Sequence, residues 1–143
     1  MTTQGNIILI ERLEEMLQFY SLIEHLGYPE SLEAYQKLLK PMIDRGYAQI
    51  IYYVNNEAIA LAGFWVNTKL FSGKYIDVDN VIVAPKHRGL GVGALLMKWI
   101  EEHAKQIEAK MIVLDAFLES RKAHQFYFKQ GYVVKGFHFT KDV

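Results

Sequence analysis

The segment Val81-Ile82-Val83-Ala84-Pro85-Lys86-His87-Arg88-Gly89-Leu90-Gly91-Val92-Gly93-Ala94 constrains this chain more than any other. An apolar strand runs into a basic turn, passes three alternating glycines and enters a helix, so a strand's end and a helix's start must meet at one place. Glycine permits positive φ and lets a ligand come close to the backbone. The first free N–H groups of the helix point into the turn, and the helix dipole favours an anion there. Lys86, His87 and Arg88 add positive charge beside them. A diphosphate is the natural guest.

Two phosphate loops of other folds do not fit. The nucleoside-triphosphate loop requires Lys-Ser or Lys-Thr after its last glycine, where this chain has Val92-Gly93-Ala94. Gly89, Gly91 and Ala94 do satisfy the looser dinucleotide pattern, and Asp115 stands near the place of a ribose-binding acid. In that fold, however, the first glycine follows its strand almost at once, whereas five residues separate Val83 from Gly89. The remaining chain is also too short to complete a doubly wound parallel sheet.

Hydrophobic periodicity organises the rest. Residues 6–10 read as a strand. Leu13, Met16, Leu17, Tyr20 and Ile23 fall at helical spacing, with Gly27-Tyr28-Pro29 as the stop. Ser31 caps a second helix with Leu32, Tyr35, Leu39, Met42 and Ile43 inward, and Pro41 predicts a kink or division within it. A strand at 48–54, an Asn55-Asn56 hairpin turn and a strand at 58–66 follow. A looser segment at 67–74 leads to a strand at 75–83. From Pro85 a helix opens with Val92, Leu95, Leu96, Trp99, Ile100, Ala104 and Ile107 in one stripe. A strand at 111–116 reads as buried on both faces. A helix capped by Ser120 and ending at Gly131, then a closing strand at 132–140, complete the order β-α-α-β-β-β-α-β-α-β. The fold class is α/β (α+β) with a mixed sheet.

The 143 residues suit one domain, 1–143. Sixteen basic against sixteen acidic side chains give zero formal charge, which argues against a nucleic-acid partner. The absence of cysteine removes disulfides, thiolate metal sites and cysteine nucleophiles. The histidines lack metal spacing, so no metal is expected. The opening Met-Thr-Thr-Gln-Gly has no signal-peptide character, and the longest apolar stretch, 58–66, is at most half a membrane span. These features predict a cytoplasmic protein without a membrane partner.

Arg88-x-x-Gly91-x-Gly93, preceded by a strand and Ala84-Pro85-Lys86-His87, resembles the acyl-CoA pyrophosphate loop of the GNAT superfamily of N-acyltransferases. A second block, Arg121-Lys122-Ala123-His124-Gln125-Phe126-Tyr127-Phe128-Lys129-Gln130-Gly131-Tyr132, is similar to the family's late helix. The resemblance implies two splayed parallel strands forming the acyl-CoA slot, with acetyl-CoA as cosubstrate. The backbone of Val81, Ile82 and Val83 would contact the pantetheine and acyl group. Arg88, Gly89, Leu90, Gly91, Val92, Gly93 and Ala94 would cradle the pyrophosphate. Tyr127 would be the acid that protonates the leaving thiolate. Ser120 stands where the family often has an asparagine on the cofactor arm, so the resemblance implies that this contact is shortened or lost, with helix capping as the other role for Ser120.

The residues themselves leave Tyr127 open between core packing and acid catalysis, since it shares a helical face with Ala123 and Phe126. A base is needed because most aliphatic amines are protonated at neutral pH. Simple alternation puts Tyr75, Asp77, Asp79, Val81 and Val83 on one strand face and Asn80 on the other. Asp79 and Asp115 are the leading candidates, followed by Asp77. Tyr52, Tyr53, Phe64, Trp65, Phe71 and Tyr75 suggest an aromatic surface that could line an acceptor pocket, belong to the core or form a homodimer contact. The expected activity is direct acetyl transfer to a primary amine, of a small molecule or a peptide. The alternative is a non-catalytic acyl-CoA-binding module of the same fold.

Overall fold

The computed structural model describes residues 5–143; residues 1–4, read above for a leader, lie outside the described residues. The chain divides into two compact units, one ending at Val113 and the other Leu114–Val143.

The first unit is built on the sheet. Strands β1 (Asn6–Ile10), β2 (Tyr47–Val54), β3 (Glu57–Lys69) and β4 (Gly73–Val83) pair antiparallel in sequence order, and β5 (Met111–Leu114) is the fifth neighbour, parallel to β4. Asn55 and Asn56 both take positive φ, as a two-residue hairpin turn requires. The 67–74 segment is more ordered than its composition predicts. Asn67, Thr68 and Lys69 pair with Tyr75, Lys74 and Gly73, so the hairpin narrows to residues 70–72.

One face of the sheet carries Tyr47, Ile51, Leu61 and Ile82 against helices α1 (Leu13–Leu17), α2 (Tyr20–Ile23) and α3 (Leu32–Asp44), which contribute Met16, Phe19, Leu22, Ile23, Tyr35 and Leu39. The opposite face supplies Phe64, which meets Trp99 and His103 of α4 (Val92–Gln106) at ring-centroid distances of 6.3 and 5.6 Å. Val92, Leu96, Met97, Ile100 and Ala104 are the buried stripe of α4, whereas Leu95 is turned to solvent.

Several helical expectations need correction. The first helix is two short pieces and a 3-10 turn (Glu24–Leu26), because Phe19 leaves helical geometry at φ −107°, ψ 18°. Helix α3 passes through Pro41 undivided. Pro41 and Lys37, whose carbonyl loses its helical N–H partner, are both exposed, so water can replace that bond. Ser31 does cap α3, accepting from Ala34 N–H at 3.1 Å. Strand β5 ends at Leu114, short of the predicted Ala116, and its four residues are half-buried.

The second unit contains α5 (Arg121–Lys129), and Gly131 follows it in the left-handed region at φ 90°. The closing strand predicted at 132–140 does not form. Strand character needs a ladder partner as well as apolar alternation, and no described strand pairs with this stretch. Val133, Val134, Phe137 and Phe139 are between 66% and 90% exposed.

Candidate active site

The glycine turn is more elaborate than a simple helix start. Pro85–His87 forms a 3-10 turn, Arg88 is extended, and Gly89 and Gly91 take φ 77° and 81°. Gly91 is the N-cap of α4, with no side-chain cap. The first helical bond runs from Leu95 N–H to the Gly91 carbonyl at 3.3 Å, so the N–H groups of Val92, Gly93 and Ala94 stand ahead of it. A Cβ added to Gly89 or Gly91 would project into open space. Open room, uncommitted N–H donors and a helix N-terminus fit a pyrophosphate. The basic side chains are more committed than the sequence suggested. Lys86 pairs with Glu57 at 2.7 Å and holds its carboxyl below the usual range, while Arg88 Nε–H donates to the Val83 carbonyl at 3.0 Å.

That Arg88 bond ties the turn to the end of β4. Ala84 N–H donates to the Ile59 carbonyl across β3 at 2.8 Å. By alternation, the main-chain groups of Val83 and Val81 point away from β3, and those of Ile82 point toward it. Lys110 N–H meets the Lys74 carbonyl at 2.8 Å where β5 begins. Because β5 has four residues and β4 has eleven, β4 runs on past the end of β5. The backbone of Val81 and the N–H of Val83 therefore border a strand edge that β5 does not reach, suited to an amide-bearing arm, while the Val83 carbonyl is taken by Arg88.

The predicted acids do not sit as simple alternation placed them. Asn80 pairs with Gly63 and Val78 with Phe64, leaving Asp79 as the extra residue of a β-bulge. The bulge resets the alternation. Asn80 joins Asp77 on the face of Trp65 and Gly63, while Val81 turns to the α4 side with Ala62. Asp79 Oδ2 accepts from the Trp65 indole N–H at 3.0 Å. The predicted aromatic surface is likewise divided. Phe64 and Tyr75 are buried, Phe71 is exposed, and Trp65 packs on Tyr47 at 5.2 Å.

In the second unit Tyr127 is half-buried on α5, edge-on to Phe126 and Tyr132 at 5.1 and 5.8 Å. Burial raises the pKa of its phenol above the usual value. Ser120 occupies the N-cap position, but its side chain makes no capping bond; its carbonyl accepts from His124 N–H at 3.1 Å. Asp115 is exposed and lies 2.9 Å from His138 Nδ1. His124 Nε2 bonds to the Phe117 carbonyl at 2.8 Å.

Sequence reasoning missed a buried polar group formed by Tyr35, Tyr47, Gln49 and Asn80, with Gly63 beside it. Its signal was a glutamine in the apolar 48–54 run and a glycine inside the 58–66 strand. A cavity of about 230 Å³ adjoins this group at Tyr47 and is lined also by Leu9, Glu11, Gly46, Phe64 and His103. Of the residues read from the sequence as candidate pocket aromatics Phe64 reaches it, whereas none of the predicted cofactor-binding or proton-transfer residues does.

Residues 10–132 match the sequence profile of the acetyltransferase (GNAT) family, which covers most of the chain and both sequence blocks. The chain belongs to the acetyltransferase (GNAT) family. An aminoalkylphosphonate N-acetyltransferase of Salmonella typhimurium is 32% identical over 88 residues, 61% of this chain and 57% of that protein, so the match spans little more than half of the relative. Among solved structures, a ribosomal-protein-alanine N-acetyltransferase from Brucella melitensis biovar Abortus superposes with a TM-score of 0.82 at 18% identity, covering 98% of this chain and 100% of that one. An aminoglycoside N-acetyltransferase in complex with CoA gives a TM-score of 0.81 at 13% identity, with coverages of 99% and 98%. At these identities the two structures establish the shared fold. No helix among the described residues is long and apolar enough to cross a membrane.

Proposed function

We propose that this chain transfers an acetyl group from acetyl-CoA directly to a primary amine, and that residues 1–143 act as one N-acetyltransferase domain. The observation that carries the reading is the glycine turn, with two left-handed glycines, open room beside them and uncommitted N–H donors at the start of α4. The family profile, which continues across the boundary between the two units, supports both parts of the proposal.

Gly89, Leu90, Gly91, Val92, Gly93 and Ala94 would hold the pyrophosphate through their backbone, with Arg88 fixing the turn to β4. The backbone of Val81 and Val83 would bind the pantetheine arm, with Ile82 between them paired to β3, and Ser120 is assigned a lesser cofactor contact. Acetyl-CoA would supply the acyl carbon as a thioester. In the transfer a C–N bond forms, the C–S bond breaks, the amine loses a proton and the thiolate gains one. We assign the proton on the sulfur to Tyr127, whose raised pKa favours the protonated form throughout the neutral range. Asp79 or Asp115 takes the amine's proton, directly or through water.

The acceptor is assigned to the small-molecule amines, supported by the aminoalkylphosphonate named for the Salmonella relative. Dependence on acetyl-CoA supports a cytoplasmic place of action. Release of free CoA with a panel of amines tests the activity; tight cofactor binding without turnover on any amine would leave a binding module. Tyr127→Phe should keep acetyl-CoA affinity and lower turnover by about 10²–10⁴. Wild-type turnover in that variant would return Tyr127 to a packing role.

A further inference from the structure

Among the described residues Gln49 is the one polar side chain in the fully buried class. Its Nε2 donates to the Tyr35 hydroxyl of α3 at 2.7 Å and to the Tyr47 hydroxyl at 3.3 Å, while its Oε1 has no partner. A buried carbonyl left unpaired weakens the fold, and an apolar side chain of similar shape would avoid that cost. Stability therefore does not account for the amide, but orientation does.

Each Gln49 N–H occupies a lone pair on a tyrosine oxygen, so Tyr47 must direct its own proton elsewhere. It donates to Asn80 Oδ1 at 3.1 Å. This fixes the Asn80 amide with its oxygen toward Tyr47 and its NH2 away, and that NH2 has no partner among the described residues. Gly63 makes the connection sterically feasible. It pairs with Gln49 on one side and Asn80 on the other, and a Cβ there would overlap the Tyr47 hydroxyl. The Tyr47 phenol thus reaches across the middle strand. The same ring packs on Trp65, whose indole holds Asp79. The bulge brings an aimed pair of N–H donors and a carboxylate to adjacent positions, Asn80 half-buried and Asp79 exposed.

We propose that Asn80 binds the acceptor, donating from its amide to an oxygen of the substrate beside Asp79, with Tyr47 and Gln49 as positioning residues. The acceptor is then an amine that also carries a hydrogen-bond-accepting oxygen, such as a hydroxyl, carboxylate or phosphonate. This rests on the acetyl-transfer reading above.

The test compares kcat/KM for 2-aminoethylphosphonate, β-alanine and ethanolamine with that for propylamine, at saturating acetyl-CoA. The wild type should favour at least one oxygen-bearing amine. Asn80→Ala should cut that preference about tenfold, the scale of one hydrogen bond of roughly 1.4 kcal/mol, through the KM for the amine more than the KM for acetyl-CoA. Tyr47→Phe and Gln49→Leu should move the preference in the same direction, although both keep the core filled. A purely structural role would lower the rates on all four amines alike. No preference in the wild type, an unchanged preference in Asn80→Ala, or a stronger one in Asn80→Asp would overturn the proposal. A readout without turnover separates it from the activity itself. The Asn80 side-chain NH2 resonances should shift on titration with at least one oxygen-bearing amine and not with propylamine. Absence of any such shift overturns the acceptor assignment, whereas a shift without CoA release overturns only the acetyl-transfer reading.

Discussion

At Gly91 two consequences of one side chain can be separated. No neighbour would touch an added Cβ, so packing does not resist it, but φ 81° is a conformation that costs an L-residue about 1–2 kcal/mol. The same Cβ would occupy the room assigned to the pyrophosphate. Gly91→Val should therefore remain folded with a modest loss of stability, yet lose about tenfold or more in acetyl-CoA affinity by calorimetry; unchanged affinity would remove the cradle. The base is harder to isolate, because free amine also becomes more abundant as pH rises and mimics a titrating carboxylate. Varying the amine breaks the tie. Asp79→Asn should slow transfer to a strongly basic amine while scarcely affecting one already neutral at pH 7, and Asp115→Asn should show that pattern only if Asp115 is the base. Both oxygen partners are already known: Trp65 for Asp79 and His138 for Asp115. If neither variant changes rate or profile on the strongly basic amine, both lose the role and water or Asp77 becomes the better account.

At the scale of elements, Pro41 makes a direct test. It lies in the last turns of α3, exposed, and the helix continues through it. Pro41→Ala should restore the missing N–H and raise stability by about 1 kcal/mol, less than the ~3 kcal/mol typical of a helix interior because the lost bond is solvated. Thermal or urea denaturation measures it, and a destabilised variant would mean that Pro41 packs usefully. The division expected at Pro41 does not occur, because sequence shows the missing donor but not whether water can reach the stranded carbonyl. Strands β1 to β4 and helices α3 to α5 were legible because apolar period and turn residues agreed. The glycine turn was legible for a similar reason, since positive φ leaves a residue-type signature. The bulge at Asp79 left none: alternation counts residues, whereas a bulge is an extra residue visible only against its partner strand. That single insertion moved Asn80 to the acids' face and Val81 off it. Gln49 and Gly63 acquire meaning only through register, which brings residues fourteen apart in sequence side by side.

Across the whole molecule, order should be uneven, and amide exchange can measure it. The unit ending at Val113 buries both faces of its sheet, with Ile50, Ile51, Leu61 and Ala62 wholly enclosed, whereas α5 of the other unit contains no fully buried residue. Opening free energies follow burial and hydrogen bonding, so the β2 and β3 amides should exchange slowest, by global unfolding. In the second unit the last bonded amides after α5 are Gly131 and Tyr132, which donate to the Phe128 and Tyr127 carbonyls at 3.1 and 3.0 Å. Beyond them no ladder among the described residues protects residues 133–143, and these amides should exchange close to the free-chain rate. Acetyl-CoA should add a local effect at Val92, Gly93 and Ala94, whose N–H groups would be covered by the bound pyrophosphate. At a hundred times its dissociation constant the ligand should also stabilise the folded state by about 2.7 kcal/mol. Slow exchange at Val134, Phe137 and Phe139 would carry the opposite message. Their apolar alternation would then be paired in solution after all, and the closing strand read from the sequence would be restored.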